Sequence, residues 1–200
     1  ENIPAELKEH DHWLLWKWKD EKDRKGGVKW TKIQLAVSGG PGKSNDPSTW
    51  CSFEAAWKAY VEEGHDGIGF VFTNSPFSGV DFDDCLDDDY QLKEGHIAGV
   101  GLEVLDSYTE VSPSRTGLKV IVRGSKPKGR CSNAELGIEM YESGRYFTIT
   151  GHRFEQTEPA VRRRTAELQL LHDMVFASAG ERETKREYDD REMAVMALKA

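Results

Sequence analysis

Gly79-Val80-Asp81-Phe82-Asp83-Asp84 alternates apolar and acidic residues. Side chains of a strand point alternately to its two faces, so Asp81 and Asp83 project from one face and Val80 and Phe82 from the other. Two carboxylates held that close repel each other, and a divalent cation relieves the repulsion. The pair therefore suggests Mg²⁺ or Mn²⁺ and phosphoryl or nucleotidyl transfer.

Working outward, period-two alternation extends the argument to neighbouring segments. Leu118, Val120 and Val122, then Ile138 and Met140, then Phe147 and Ile149 form apolar faces with Val80 and Phe82. Their alternates are assigned to an opposite, charged and partly open face carrying Asp81, Asp83, Lys119, Arg123, Glu139, Tyr141, Tyr146 and Thr148. An antiparallel sheet with helices on one side is the economical arrangement. Strands are expected at Gly67 to Thr73 and Ser78 to Asp83 around Asn74-Ser75-Pro76, and at Gly137 to Glu142 and Tyr146 to Thr150 around Ser143-Gly144.

Upstream, His12 to Trp18 and Trp30 to Val37 read as a tryptophan-rich hairpin whose turn is the charged run Asp20 to Gly27. Asp46-Pro47 predicts a helix start, with Trp50, Phe53, Trp57 and Tyr60 on one core-facing side and Gly64 as its end. A second helix is expected over Tyr90 to Leu105. From Ala160 the chain turns helical, with Leu168, Leu171, Met174 and Val175 on one side and Arg162-Arg163-Arg164 near its start. Beyond Gly180 it reads as a charged helix or connector.

Two hundred residues, 38% hydrophobic and 31% charged, suit one globular domain with a short appendage. No apolar run reaches membrane-spanning length, no signal-peptide pattern is present, and Cys51, Cys85 and Cys131 are odd in number and far apart. We expect a reducing, cytoplasmic setting without a zinc site, and the start at Glu1 reads as one domain of something larger. The net charge of -8 argues against non-specific coating of nucleic acid. Between Val111 and Ala134, however, there is no acidic residue and there are six basic ones: Arg115, Lys119, Arg123, Lys126, Lys128 and Arg130. Arg123, Lys126, Lys128 and Arg130 are the candidates for a polyanion-facing surface.

Other chemistries fit less well. Gly42-Lys43-Ser44 lacks the P-loop's first glycine, whose place is Val37. The histidines lack ligand-like spacing apart from His10-x-His12 at the chain end, and Asp83 to Asp89 lacks the central glycine and terminal glutamate of an EF-hand. A glycosyltransferase using Asp-x-Asp leaves the loop Ser112-Pro113-Ser114-Arg115-Thr116-Gly117 and Glu139 without a role. That loop offers hydroxyls, backbone N–H groups and an arginine to a phosphate, with Lys119 close behind.

Gly67-Ile68-Gly69-Phe70-Val71-Phe72, the Asp81 block, Tyr108 to Ser114, Gly117-Leu118-Lys119 and Glu139 to Gly151 occur in an order that resembles the primase-polymerase (prim-pol) branch of the archaeo-eukaryotic primase superfamily. The resemblance runs from about His12 to His152. It implies an α+β fold: an RRM-like antiparallel catalytic sheet packed with helices, plus an N-terminal α/β module. Residues 1-155 would form the catalytic domain, with the module at about 1-65 and the core at about 66-155, and 156-200 would be a helical tail or connector. Asp81, Asp83 and Glu139 take the family's catalytic and metal-binding roles, served by Mg²⁺ or Mn²⁺. Lys119 stands where the family usually has a nucleotide-contacting histidine, keeping a cationic donor without the imidazole. Ser112, Ser114, Arg115 and Thr116 fall near the triphosphate, Arg145 and Tyr146 near the sugar or base, and Lys32 on a family lysine that faces the phosphates.

The implied function is template-dependent nucleotidyl transfer, as a DNA primase, a DNA polymerase or both, by two-metal catalysis. The rival is a non-catalytic nucleic-acid-binding replication-initiation module on the same fold. Expected partners are single-stranded DNA template or primer-template, dNTP or NTP, and a helicase domain or partner, with no membrane. The expected setting is the cytoplasm of a bacterial or archaeal cell, the gene phage- or plasmid-borne.

Overall fold

The computed structural model describes residues 2–22 and 27–176. Its strands form two wholly antiparallel sheets, as the alternation requires of hairpin-connected segments that bury one face. The first has the order β2(Val28–Leu35), β1(Trp13–Lys22), β3(Gly67–Val71), β9(Tyr146–Ile149). The second has the order β5(Thr109–Val111), β6(Leu118–Arg123), β4(Phe77–Phe82), β8(Ile138–Tyr141), β7(Ser132–Asn133). Mixed α+β architecture with antiparallel sheets is thus observed.

Division into two sheets corrects the expectation of one continuous apolar face. The turn at residues 74–76 joins β3 to β4, and the turn at 143–144 joins β8 to β9, but each crosses from one sheet to the other instead of closing a hairpin. Tyr146 and Thr148 consequently lie in the first sheet, not beside Asp81. Phe147 and Ile149 pack with Trp13, Ile68 and Phe70. The first sheet also crosses the 65/66 division, since β3 and β9 pair alongside β1.

The second sheet buries Val80, Phe82, Leu118, Val120, Ile138 and Met140 against helices α3(Ile97–Leu105) and α4(Thr165–Phe176). Its opposite face is only partly open. Phe77 and Ile121 join the other core cluster, with Phe72 and Phe147. Gly79 permits this approach: a Cβ there would fall 2.3 Å from Phe147 Cε2 and 2.6 Å from Phe72 Cζ. The sheets therefore meet at the Phe77 end of β4, and the chain becomes exposed only at Asp83, just beyond its other end.

Helix boundaries differ from expectation for local reasons. Asp46 caps only a single 3-10 turn, Pro47–Thr49, its Oδ1 accepting from Ser48 N at 3.2 Å. Trp50 is then extended, and Ser52 caps α2(Phe53–Glu63) by accepting from Ala55 N at 3.3 Å. Trp50 is thus off the helix, and Trp57 is 44% exposed, so the aromatic stripe is only partly core. Gly64 ends α2 in the left-handed region at φ 66°, as glycine permits. In the second predicted helix the turn begins only at Ile97, where His96 Nδ1 accepts from Ala98 N at 3.1 Å; Leu92 instead bridges Leu86. The short α1(Ala5–Lys8) precedes β1. The expected connector beyond Gly180 lies outside the described residues.

Candidate active site

Strand register sets the polar row. Asp81 on β4 stands opposite Lys119 on β6 and Glu139 on β8. Glu110 on β5 stands opposite Lys119, and Ser132 on β7 opposite Glu139. Directly opposed residues share a face. One row across five strands therefore reads Glu110, Lys119, Asp81, Glu139, Ser132.

At its centre the Lys119 ammonium donates to Asp81 Oδ2. Lys119 is only 6% exposed, and its Nζ lies 4.5 Å from the centroid of the Phe147 ring. Asp83 follows β4, its backbone N donating to Gly137 O at 2.8 Å, which carries the β4–β8 pairing one residue further. Protein crowding and the charge of Asp81, with a smaller contribution from Glu139, push the Asp83 carboxyl above its ordinary value, while Lys119 and Lys32 oppose the shift. Glu139 Oε1 accepts from Ser132 Oγ at 3.4 Å.

Lys32 reaches this row from the other sheet. Its Nζ lies 5.8 Å from the Trp16 ring and 5.1 Å from the Trp18 ring. Burial and then the Lys119 charge lower its pKa, with Asp81 and Asp83 acting in the opposite sense. The hairpin lysine and the acidic pair therefore share one electrostatic environment.

The loop between β5 and β6 is a chain of hydroxyls. Ser112 Oγ and Ser114 Oγ are 2.9 Å apart, and Ser114 Oγ and Thr116 Oγ1 are 3.1 Å apart. Arg115 adopts φ 67° at the exposed tip, its N donating to Ser112 O at 2.9 Å. Gly117 is required by a close approach, since a Cβ there would meet Phe82 O at 2.6 Å.

Arg145 and Tyr146, expected together, diverge. The Arg145 guanidinium lies 5.1 Å from the Tyr141 ring centroid and lines an open depression of about 340 Å³ with Lys126, Cys131 and Glu142. Tyr146 packs over Gly69, where a Cβ would come within 2.5 Å of its ring, and burial raises its phenol pKa. The basic stretch is also partly engaged. The Arg123 guanidinium is 4.8 Å from the Phe77 ring, Lys126 Nζ donates to Pro127 O and to Arg130 O (3.4 Å for the latter), and Arg130 lies 5.9 Å from the Phe176 ring. Lys128 is exposed.

Sequence reasoning missed Glu110. It is completely buried, accepts from the Tyr108 hydroxyl at 3.0 Å, Thr150 N at 2.9 Å and Gly151 N at 3.1 Å, and burial pushes its pKa up to about 7. A signal existed: a hairpin closing around 112–117 pairs Val111 with Leu118, which puts Glu110 opposite Lys119.

Among the described residues no group of three or more His, Cys, Asp or Glu is placed to hold a metal ion. The expected trio has one Asp81 oxygen accepting from Lys119 and Glu139 Oε1 accepting from Ser132. Its donor chemistry nevertheless suits a hard divalent cation: the oxygens are carboxylate, and the Asp81 and Glu139 charges already disfavour ionisation of Asp83. No helix among the described residues is long and apolar enough to cross a membrane.

No protein-family model matches the chain. It is similar to a DNA primase-polymerase of Nitratiruptor phage NrS-1, 38% identical in an alignment 162 residues long that covers 76% of this chain and 21% of that protein. The chain thus spans about one fifth of the length of the curated relative it matches. The homology to a phage DNA primase-polymerase extends over most of this chain.

Proposed function

We propose that this chain is the nucleotidyl-transfer unit of a primase-polymerase. A primer 3′-hydroxyl, or the hydroxyl of a first nucleotide during priming, attacks the α-phosphate of an incoming triphosphate. A phosphodiester forms, the α–β anhydride bond breaks, pyrophosphate leaves with the bonding electrons and the hydroxyl proton passes to solvent. The observation that carries this reading is the direct register of Glu139, Asp81 and Lys119 on adjacent strands, with Asp83 next along the same face.

Asp81, Asp83 and Glu139 would hold Mg²⁺ or Mn²⁺, which supplies a lowered hydroxyl pKa and neutralises the leaving pyrophosphate. Lys119 and Lys32 provide positive charge toward the triphosphate from two sheets. Ser112, Ser114, Arg115 and Thr116 offer it donors, and Arg145, exposed at the turn into β9, is the candidate for the sugar or base. Positioning and charge stabilisation carry such reactions, so few groups need to transfer protons. Single-stranded template or primer-template, dNTP or NTP, and a helicase domain in the longer protein belong to the same reading. So does a cytoplasmic, phage- or plasmid-encoded setting.

A second reading, a binding module without turnover, is favoured by one observation: Lys119 occupies an oxygen of Asp81. Primer extension and primer-free synthesis, each with Mg²⁺ and Mn²⁺, separate the two. Synthesis that is lost in Asp83→Asn, with unchanged melting, supports the catalytic unit. Single-strand binding without synthesis under either ion supports the module.

A further inference from the structure

Strands β1 and β2 outrun the rest of their sheet. β3 covers β1 only from Trp13 to Trp16, whereas pairing with β2 continues to Lys22 opposite Val28. Beyond Trp16 the pair is a two-stranded ribbon. Register sets Trp16 against Gln34, Trp18 against Lys32 and Asp20 against Trp30. Opposed residues, and those two further along, share a face, so Trp16, Trp18 and Trp30 form one stripe.

Exposure grows along that stripe, from 4% at Trp16 through 39% at Trp18 to 61% at Trp30. Leaving most of an indole in water forfeits the burial for which such a side chain is usually retained. The stripe also begins at the candidate active site: Lys32, whose ammonium lies over both Trp16 and Trp18, is the hairpin residue that feels Asp81, Asp83 and Lys119.

We propose that Trp18 and Trp30, with Lys32 between them and the acidic row, are a stacking track for unpaired bases of a single-stranded template entering the site. The proposal rests on the nucleotidyl-transfer reading and adds the path of its template. Indole faces accept any base, and a cation beside them suits a phosphodiester chain. A protein partner fits less well, because Lys32 and Asp20 interrupt the stripe and charge is depleted from the centres of protein interfaces. Asp20 opposite Trp30 also means that the outer end gains little from charge, so its contribution is stacking and not counterion release.

Trp30→Ala is the clean variant, since Trp18 also packs edge-on to Trp16 with ring centroids 5.5 Å apart. Fluorescence anisotropy of labelled oligo-dT should show affinity falling roughly 5- to 100-fold in Trp30→Ala. Trp30→Phe should recover most of that loss, the slope of log K against log salt should not change, and duplex affinity should stay as in wild type. Wild-type oligo-dT affinity in Trp30→Ala overturns the track, as does a flattened salt slope. A wild-type dimer that Trp30→Ala dissociates in sedimentation assigns the stripe to a second copy and also overturns it. Where wild type extends primers and Trp30→Ala binds normally, only the track falls; where wild type neither binds oligo-dT nor extends, the parent reading falls with it.

Discussion

Lys119 on β6 stands opposite Asp81 on β4, and its ammonium donates to Asp81 Oδ2 with both side chains largely shielded from water. Breaking such a pair from one side strands the other charge, at a cost on the order of 3–5 kcal/mol for full burial. Asp81→Asn is therefore expected to lower stability as well as synthesis, whereas Asp83→Asn, at an exposed position, should lose synthesis with a near-wild-type melting curve. Denaturant titration beside primer extension checks the contrast. Equal destabilisation by both variants would mean that the pair is not what anchors Asp81.

Replacing Lys119 separates its two contacts. Lys119→Ala should raise the nucleotide KM well above any change in template affinity, because a cation toward the triphosphate is lost. The same change frees an Asp81 oxygen, so Mn²⁺ affinity measured calorimetrically should hold or increase. Lys119→His is the informative swap: greater turnover would show that the imidazole is the better group in this setting. An unchanged KM in the alanine variant would remove Lys119 from the nucleotide site.

Glu110 gives the fold a pH dependence of known sign. Its folded pKa of about 7 lies above the ordinary glutamate value near 4.5, chiefly because burial disfavours the charge. Between those values the native state holds a proton that the unfolded state has released, so stability falls as pH rises. The contribution is fully present below about pH 4.5, is lost progressively up to about pH 7, and is flat above it. Glu110→Gln should lack this slope, so that it emerges in the difference between wild type and variant. It should also destabilise by about 1–3 kcal/mol, since an amide cannot accept from all three donors now met by the carboxylate. Urea unfolding at a series of pH values reads both effects.

The same-face placement of Asp81, Asp83, Lys119 and Glu139 was legible because strand alternation is a local property that needs no knowledge of the partner strand. Sheet membership was not. Asn74-Ser75-Pro76 and Ser143-Gly144 carry ordinary hairpin chemistry, and nothing in a turn sequence says that the chain leaves one sheet for another. Tyr146 and Thr148 were misplaced for that reason. Helix starts failed through competition between capping residues: Asp46 and Ser52 both qualify, and the extended Trp50 between them decides in favour of Ser52. Glu110 escaped notice because a buried carboxylate is recognised by its three donors, two of which come from residues forty positions away.

Gly79 tests the contact between the sheets. Gly79→Ala places a methyl inside the radii of the Phe147 and Phe72 rings, and overpacking of this kind typically costs about 1–3 kcal/mol. Because Phe147 also lies under Lys119 Nζ, the displaced ring should disturb the lysine and raise the nucleotide KM. Gly79→Ala paired with Phe147→Leu should recover part of the stability by vacating the clash. A single variant as stable as wild type would mean that the two sheets are free to separate here.

Template affinity through the basic stretch should be weak, local and salt-dependent, because a chain of net charge -8 has no overall attraction for a polyanion. Arg123 and Lys126 are already engaged, by the Phe77 ring and by main-chain carbonyls respectively, whereas Lys128 and Arg130 are exposed. Each single-strand phosphate contact adds about 0.7 to the magnitude of the log K against log salt slope. Neutralising Lys128 and Arg130 together should flatten it by about 1.4, and adding Arg123 and Lys126 should bring the total to no more than about 3. Single-strand affinity across a salt series for wild type, the double variant and the fourfold variant measures this directly. An unchanged slope would move the phosphate path to the Arg162-Arg163-Arg164 segment, where Arg162 and Arg164 are paired with Glu158 and Asp106 and would have to exchange partners to bind.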